Sequence, residues 1–329
     1  MNKFVLSGVL GLGLALGAVE ADAATVLRLT SQMPAKHHIG QNLLAFKELV
    51  ERESKGDLKI EIYPASQLYK DAETPQAVST GAVDMGSVSL AQFAGTVPAA
   101  DVFYVPFLFD TQTRVRAATA PDSPIRTALD AAILKTGSRV LWWQAFGGSI
   151  LLSKGFEVHE PEDLKGKKVR VFGKTLGRFV EAVGGAPTML SGSEQFIAYQ
   201  RGTVDAGMTG ITTVPARKLY QVMDTMTVTN NADVEFVVIV NEKAWQGLTG
   251  RQREIIRDAG RRVESELRYE MERVEADALA ETKTKMKVIE LSDAERARWR
   301  AATQPVIAEF AEWAGPLGAE LVKEAQALP

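Results

Sequence analysis

Along residues 25–63 the apolar positions change their period twice. In TVLRLTSQ they alternate, as in a strand; in GQNLLAFKELVERESKG, Leu43, Phe46, Leu49 and Val50 share one helical face before Gly56; in LKIEIYP, Leu58, Ile60 and Ile62 alternate again. A β-α-β order predicts a parallel sheet. The same change of period recurs in LKGKKVRVFGKTLGRFVEAVGGAPTML, residues 164–190. There Val169 and Val171 oppose Lys168, Arg170 and Phe172 in a strand, and then Leu176, Phe179, Val180 and Val183 repeat at helical spacing until Gly184 and Gly185.

A short echo supports two similar α/β halves. GAVDMG at residues 81–86 and GTVDAG at residues 202–207 share G-x-V-D-x-G, and each follows a helical pattern and leads into a strand of small residues. The loops after them, SVSLAQF and MTGITT, are rich in hydroxyls and small side chains. Loops beyond the carboxyl ends of parallel strands are where ligands of such sheets sit. From Thr249 to Met286 the chain has no proline and one internal glycine, Gly260, which predicts a helix of roughly 50 Å. Such a helix either braces two domains or forms a coiled-coil arm. Its thin apolar seam favours a monomer. LSDAERARWRAATQPVIAEFAEWAG adds a capped helix, broken at Pro305 and closed by Gly315.

Composition narrows the functions. Of 329 residues 46% are hydrophobic, enough for a sizeable core and roughly two domains. With 41 acidic against 38 basic residues, and no basic-aromatic tract, no nucleic acid is expected as partner. Cysteine is absent, which excludes disulfides, thiolate catalysis and cysteine metal sites. Three histidines, His37, His38 and His159, lack metal-ligand spacing, and no nucleophile elbow, Walker loop or dinucleotide motif is present, so neither metal nor cofactor is expected. Lys3, the apolar run Phe4 to Val19 and the small-x-small site Ala21-Asp22-Ala23 have the layout of a secretory leader, residues 1–23. The run is shorter than the ~20 residues of a membrane span. A soluble periplasmic protein starting near Ala24 is expected.

Arg170 is the best candidate for chemistry. A half-exposed strand arginine is one reading. The other is capture of a carboxylate, for which a guanidinium supplies a fixed fork of donors.

At these residues the chain resembles the DctP-type solute-binding proteins of tripartite ATP-independent periplasmic (TRAP) transporters. The resemblance covers FKELVERESKGDLKIEIYPASQL, GAVDMG, LKGKKVRV, GGAPTML, SEQFIAYQRGTVDAG and the helical end. It implies a two-domain, periplasmic-binding-protein-like (Venus-flytrap) α/β fold with a long bracing helix, closing on a small organic acid. It also implies small and large permease subunits as membrane partners. Domain I is expected over residues 24–146 plus about 232–262, and domain II over 147–231 plus about 263–329. The resemblance puts Arg170 on the ligand carboxylate, Ser89, Ser149 and Thr209 in the pocket, and Phe172 as a wall. Many relatives carry a second arginine at the position of Ser149 and a proline at that of Gly210, so dicarboxylates are expected to be disfavoured. Glu235 is expected either to meet a ligand ammonium or to stand at the surface, and His38 either to face the cleft or to start a helix. Competing functions are a ligand-sensing subunit of a signalling system and a periplasmic enzyme, for which no acid, base or nucleophile set has persuasive spacing.

Overall fold

The computed structural model describes residues 24–329; the leader expected over residues 1–23 lies outside them. β1 (Thr25–Ser31), α1 (His38–Glu53) and β2 (Leu58–Tyr63) form the first β-α-β unit. The strands pair in parallel, Leu27 beside Ile60 and Leu29 beside Ile62, and α1 covers them with Leu43, Phe46 and Val50. After α2 (Thr74–Ser79), β3 (Met85–Ser89) adds to the other side of β1, again parallel. α3 (Gln112–Thr119) and α4 (Pro124–Leu134) lead to β4 (Ser138–Ser153), the strand on which the molecule turns.

The second unit repeats the first. β5 (Lys168–Val171), α5 (Lys174–Ala182) and β6 (Ala186–Met189) place two parallel strands side by side, and after α6 (Gln195–Gln200), β7 (Ala206–Gly210) joins β5 in parallel. The sequence echo has a physical cause in both units. Gly81 and Gly202 take positive φ (78° and 66°) to turn the chain, Val83 and Val204 are buried, and the aspartate binds a neighbouring strand. Asp84 Oδ2 accepts from Arg28 N in β1 (2.9 Å), and Asp205 Oδ2 from Lys168 N in β5 (2.8 Å).

The chain then runs through α7 (Thr213–Ala216), β8 (Thr225–Val228), β9 (Asp233–Asn241), α8 (Glu242–Gly247), α9 (Gly250–Lys283), β10 (Lys287–Glu290), α10 (Asp293–Thr303), α11 (Pro305–Trp313) and α12 (Gly315–Ala327). Strand order is β2-β1-β3-β9-β4-β7-β5-β6, with β8 pairing β4 and β10. The first part of β4, up to Gly148, pairs with β9, and residues 149–153 pair with β7 and β8. The two halves therefore share β4. The changeover falls at a bulge where Gly147 adopts φ +103°, a conformation that favours glycine.

The long helix α9 has 34 residues, opened by a capping box in which Thr249 and Gln252 bind each other's backbone N–H groups. Its apolar stripe is consumed within the chain. Ile255, Ile256, Ala259 and Val263 pack in the core under α1, Leu267 and Met271 in the central core, and Ala278 in that of the second half. Gly260 faces Trp142, whose indole occupies the space a side chain would need. At the C-terminus Gly315 closes α11, as expected, with φ +72° at the corner, and the chain continues at once into α12. α11 packs on α5 of the second half, and α12 returns to α4 and the 3-10 segment Pro98–Tyr104 of the first.

Candidate functional site

The carboxyl ends of β3, β5 and β7 and the crossing strands β4 and β9 meet around a small, partly open cavity of about 20 Å³. Arg170 supplies its charge. Although it sits in a strand between valines, it is 2% exposed, because β5 is central and covered on both faces. Arg170 Nε and Nη2 donate to Leu190 O (3.0 and 2.9 Å), and Nη1 to Met208 O (2.6 Å). Three of the five guanidinium N–H groups are thus held by backbone, which fixes the head and leaves one N–H on each of Nη1 and Nη2. The Phe172 ring lies 4.9 Å from Cζ, a cation–π contact that steadies the same group. Burial pulls the Arg170 pKa down, while Tyr199, Asp71 and Glu194 pull it back up.

Ser89, Phe172 and Thr209 line this cavity with Arg170. Ser89 Oγ shares a 2.7 Å hydrogen bond with Tyr104 Oη. Three other expected residues stand elsewhere. Ser149 is fully buried but outside the cavity wall, because the bulge at Gly147 resets the alternation of β4 and turns Phe146 toward the cavity instead. The Phe146 ring fills the space a Cβ at Gly210 would need, which explains the glycine there. Glu235 alternates with the cavity residues Val234 and Phe236 and so points the other way, into a buried pair with Arg268 of α9 (Nη2–Oε2 3.0 Å). It is neither at the surface nor near a ligand ammonium. His38 donates from Nε2 to Ala145 O (3.0 Å) and faces a separate groove along α9. Burial lowers its pKa to about 4. Its neighbour His37 lines the same groove and reaches the cavity wall only through Phe146 and Thr213. Its Nδ1 caps α1 by accepting from Ile39 N, its Nε2 meets Thr212 Oγ1 at 3.1 Å, and its ring stacks on Phe146.

The sequence reading missed three polar residues here. Arg217, just after α7, lines the cavity; its Nη2 donates to Gln32 O (2.9 Å), and its Nη1 is buried with no protein partner. Burial, reinforced by repulsion from Arg170, lowers its pKa to about 10. Gln195, first in α6, lines the cavity with its Oε1 also unpartnered. Asp71 lies behind Ser89, whose N–H it accepts at 3.3 Å; burial raises its pKa to about 7 against the hydrogen bond and the two guanidinium charges. Arg217 follows a four-residue helix and Gln195 opens a six-residue one, too short for any periodic signal.

Contacts cross the cavity from one half to the other. Gln92 Nε2 donates to Phe172 O (3.0 Å), Arg217 reaches Gln32, His37 reaches Thr212, and Lys70 Nζ pairs with Glu194 Oε1 (2.8 Å) at the mouth. Among the described residues no cluster of metal-ligating side chains is found, and no helix is long and apolar enough to cross a membrane.

Two α/β lobes that share crossing strands and meet around a small charged cavity define a two-domain solute-binding protein. The chain belongs to the family of bacterial extracellular solute-binding proteins, family 7 (DctP), whose model matches residues 29–313. It is a receptor of the TRAP type and not an enzyme. A C4-dicarboxylate-binding periplasmic protein of Rhodobacter capsulatus is 28% identical, over 98% of this chain and 97% of the relative. The sialic acid-binding periplasmic protein of Vibrio cholerae is 25% identical, over 89% and 90%. Among solved structures, a TRAP solute-binding protein of Sulfurospirillum deleyianum with bound succinate superimposes with a TM-score of 0.87 at 24% identity, covering 93% of this chain and 100% of that one. One from Polaromonas, bound to D-erythronate, gives 0.86 at 25%, covering 92% and 99%.

Proposed function

We propose that this receptor binds a small organic acid in the cavity between its lobes, with the acid's carboxylate on Arg170, and delivers it to the small and large membrane subunits of a TRAP permease. The observation that carries this reading is the state of Arg170: buried, clamped by two backbone carbonyls, and left with one N–H on each terminal nitrogen facing the cavity. A charge so desolvated is stabilised by an anion that completes its hydrogen bonds. The proteins of Rhodobacter capsulatus and Polaromonas, named for a dicarboxylate and an erythronate, agree with an acid as ligand.

In this reading residues 24–146 with about 232–262 form one lobe and residues 147–231 with about 263–329 the other, hinged where β4 changes partner, with α12 folded back onto the first lobe. Ser89, Phe172 and Thr209 shape the pocket, and Ser149 plays no direct part. Residues 1–23 direct export to the periplasm, and the mature chain acts as a monomer. A thermal-shift screen of small carboxylates, sulfonates and amino acids tests the assignment. A carboxylic acid at ~100 times its Kd adds about 2.7 kcal/mol of stability, whereas stabilisation by amines or neutral sugars alone contradicts it.

A further inference from the structure

Two polar atoms in the cavity wall lack a protein partner, and they are chemically complementary. Arg217 Nη1 carries N–H donors, and Gln195 Oε1 is an acceptor; both atoms are buried and both residues line the cavity. Leaving either unsatisfied costs free energy, so a bound group that supplies both an acceptor and a donor is favoured here. Gly192 packs closely against both neighbours of the subsite: a Cβ there would collide with Gln32 Oε1 and lie 3.0 Å from Arg217 Nη1, so the glycine lets the Arg217 head keep its place. The rest of the Arg217 head is already engaged, since Nη2 donates to Gln32 O across the lobes.

We propose that Arg217 and Gln195 form a second subsite that reads a hydroxyl group on the bound acid. This rests on the reading of Arg170 as the carboxylate anchor and adds the class of acid. A hydroxyl oxygen accepts from Arg217 Nη1 while its proton goes to Gln195 Oε1. A second carboxylate satisfies the arginine but sets its charge against the amide oxygen, and a methyl group satisfies neither. Arg217 thus supplies the second cation expected to be missing when Ser149 was the only position considered, yet Gln195 turns the preference toward a hydroxy acid. Because Arg217 also ties the lobes together, a hydroxyl held there favours the closed form.

The test is calorimetry of the mature protein with butyrate, 2-, 3- and 4-hydroxybutyrate and succinate, on the wild type, Gln195→Leu, Arg217→Lys and Arg217→Ala. At least one hydroxybutyrate is expected to bind tenfold or more tightly than butyrate and more tightly than succinate. Gln195→Leu, which touches no inter-lobe bond, is expected to remove that preference, weakening the favoured hydroxybutyrate tenfold or more relative to butyrate. Arg217→Ala is expected to weaken the hydroxy acid more than butyrate, with partial recovery in Arg217→Lys. Equal wild-type affinity for butyrate and every hydroxybutyrate, tightest binding of succinate, or variants that weaken all acids alike would overturn the subsite and leave the Arg170 anchor standing. Binding of none of the five acids would overturn the hydroxy-acid subsite, while the Arg170 anchor is judged separately on the acid found by thermal shift.

Discussion

Arg170 does two things at once, and a substitution exposes both. Its three bonds to Leu190 O and Met208 O tie the end of β6 to β7, so Arg170→Ala, which removes them from a buried site, is expected to lower stability by about 1–3 kcal/mol even without ligand. Denaturant unfolding of the ligand-free protein checks this, and an unchanged midpoint contradicts it. A half-exposed strand arginine would leave the packing to the opposing valines; Arg170 is instead buried. Asp71 gives a second residue-level prediction. Burial lifts its pKa from 3.8 to about 7, so between those values the folded protein holds a proton that the unfolded chain has lost, and this group makes stability fall as pH rises. Asp101, raised to about 6 by burial, acts in the same direction, and His38, lowered to about 4, opposes both below about 6.5. Asp71→Asn is therefore expected to raise the melting temperature at pH 8 and leave it little changed at pH 4; an equal change at both values contradicts the assignment. Arg170, Ser89, Thr209 and Phe172 were legible as cavity residues because a motif and a strand end mark each of them. Glu235 was misplaced by one step of parity, whereas His38 takes the second of its two expected places, the start of α1. In β9 the alternate neighbours face the cavity, and at the start of α1 the adjacent His37 is the one that reaches Thr212.

At the scale of elements, glycines decide where large groups approach. Gly147 combines a positive φ with a close approach of Glu275 and Met271 from α9. Gly147→Ala is expected to destabilise the protein by more than about 1 kcal/mol, read as a lower melting temperature; an unchanged one means that the bulge relaxes freely. Gly260→Leu is expected to cost about 1–3 kcal/mol by forcing Trp142 from its place against α9. The parallel β-α-β units and α9 were readable because their periods run long enough to show, and the duplicated G-x-V-D-x-G because each letter has a backbone task. The joining of the halves was not readable. It depends on β4 changing partners midway, a tertiary event that leaves only two adjacent glycines in the sequence. The close of α11 at Gly315 was legible, but α12 beyond it was not read as a separate element.

At the scale of the molecule, every apolar stretch of α9 is spent on its own chain, so light scattering is expected to report a monomer; a dimer mass contradicts it. The lobes meet through a shared apolar core and through bonds such as Thr175 N–Asp101 Oδ2 (2.7 Å), whereas the Lys70–Glu194 pair at the mouth is exposed on both sides and contributes little. Small-angle scattering is expected to show a smaller radius of gyration once an acid is bound. The central claim is that Arg170 takes the carboxylate of that acid. The direct measurement is titration calorimetry of the acid found by thermal shift into the wild type, Arg170→Lys and Arg170→Ala, each first shown to be folded by its melting curve. The account predicts a loss of about 2–5 kcal/mol for alanine, roughly 30-fold to several-thousand-fold in Kd, with lysine recovering part because it keeps the charge without the planar fork. A folded alanine variant that binds the acid within threefold of the wild type would contradict it.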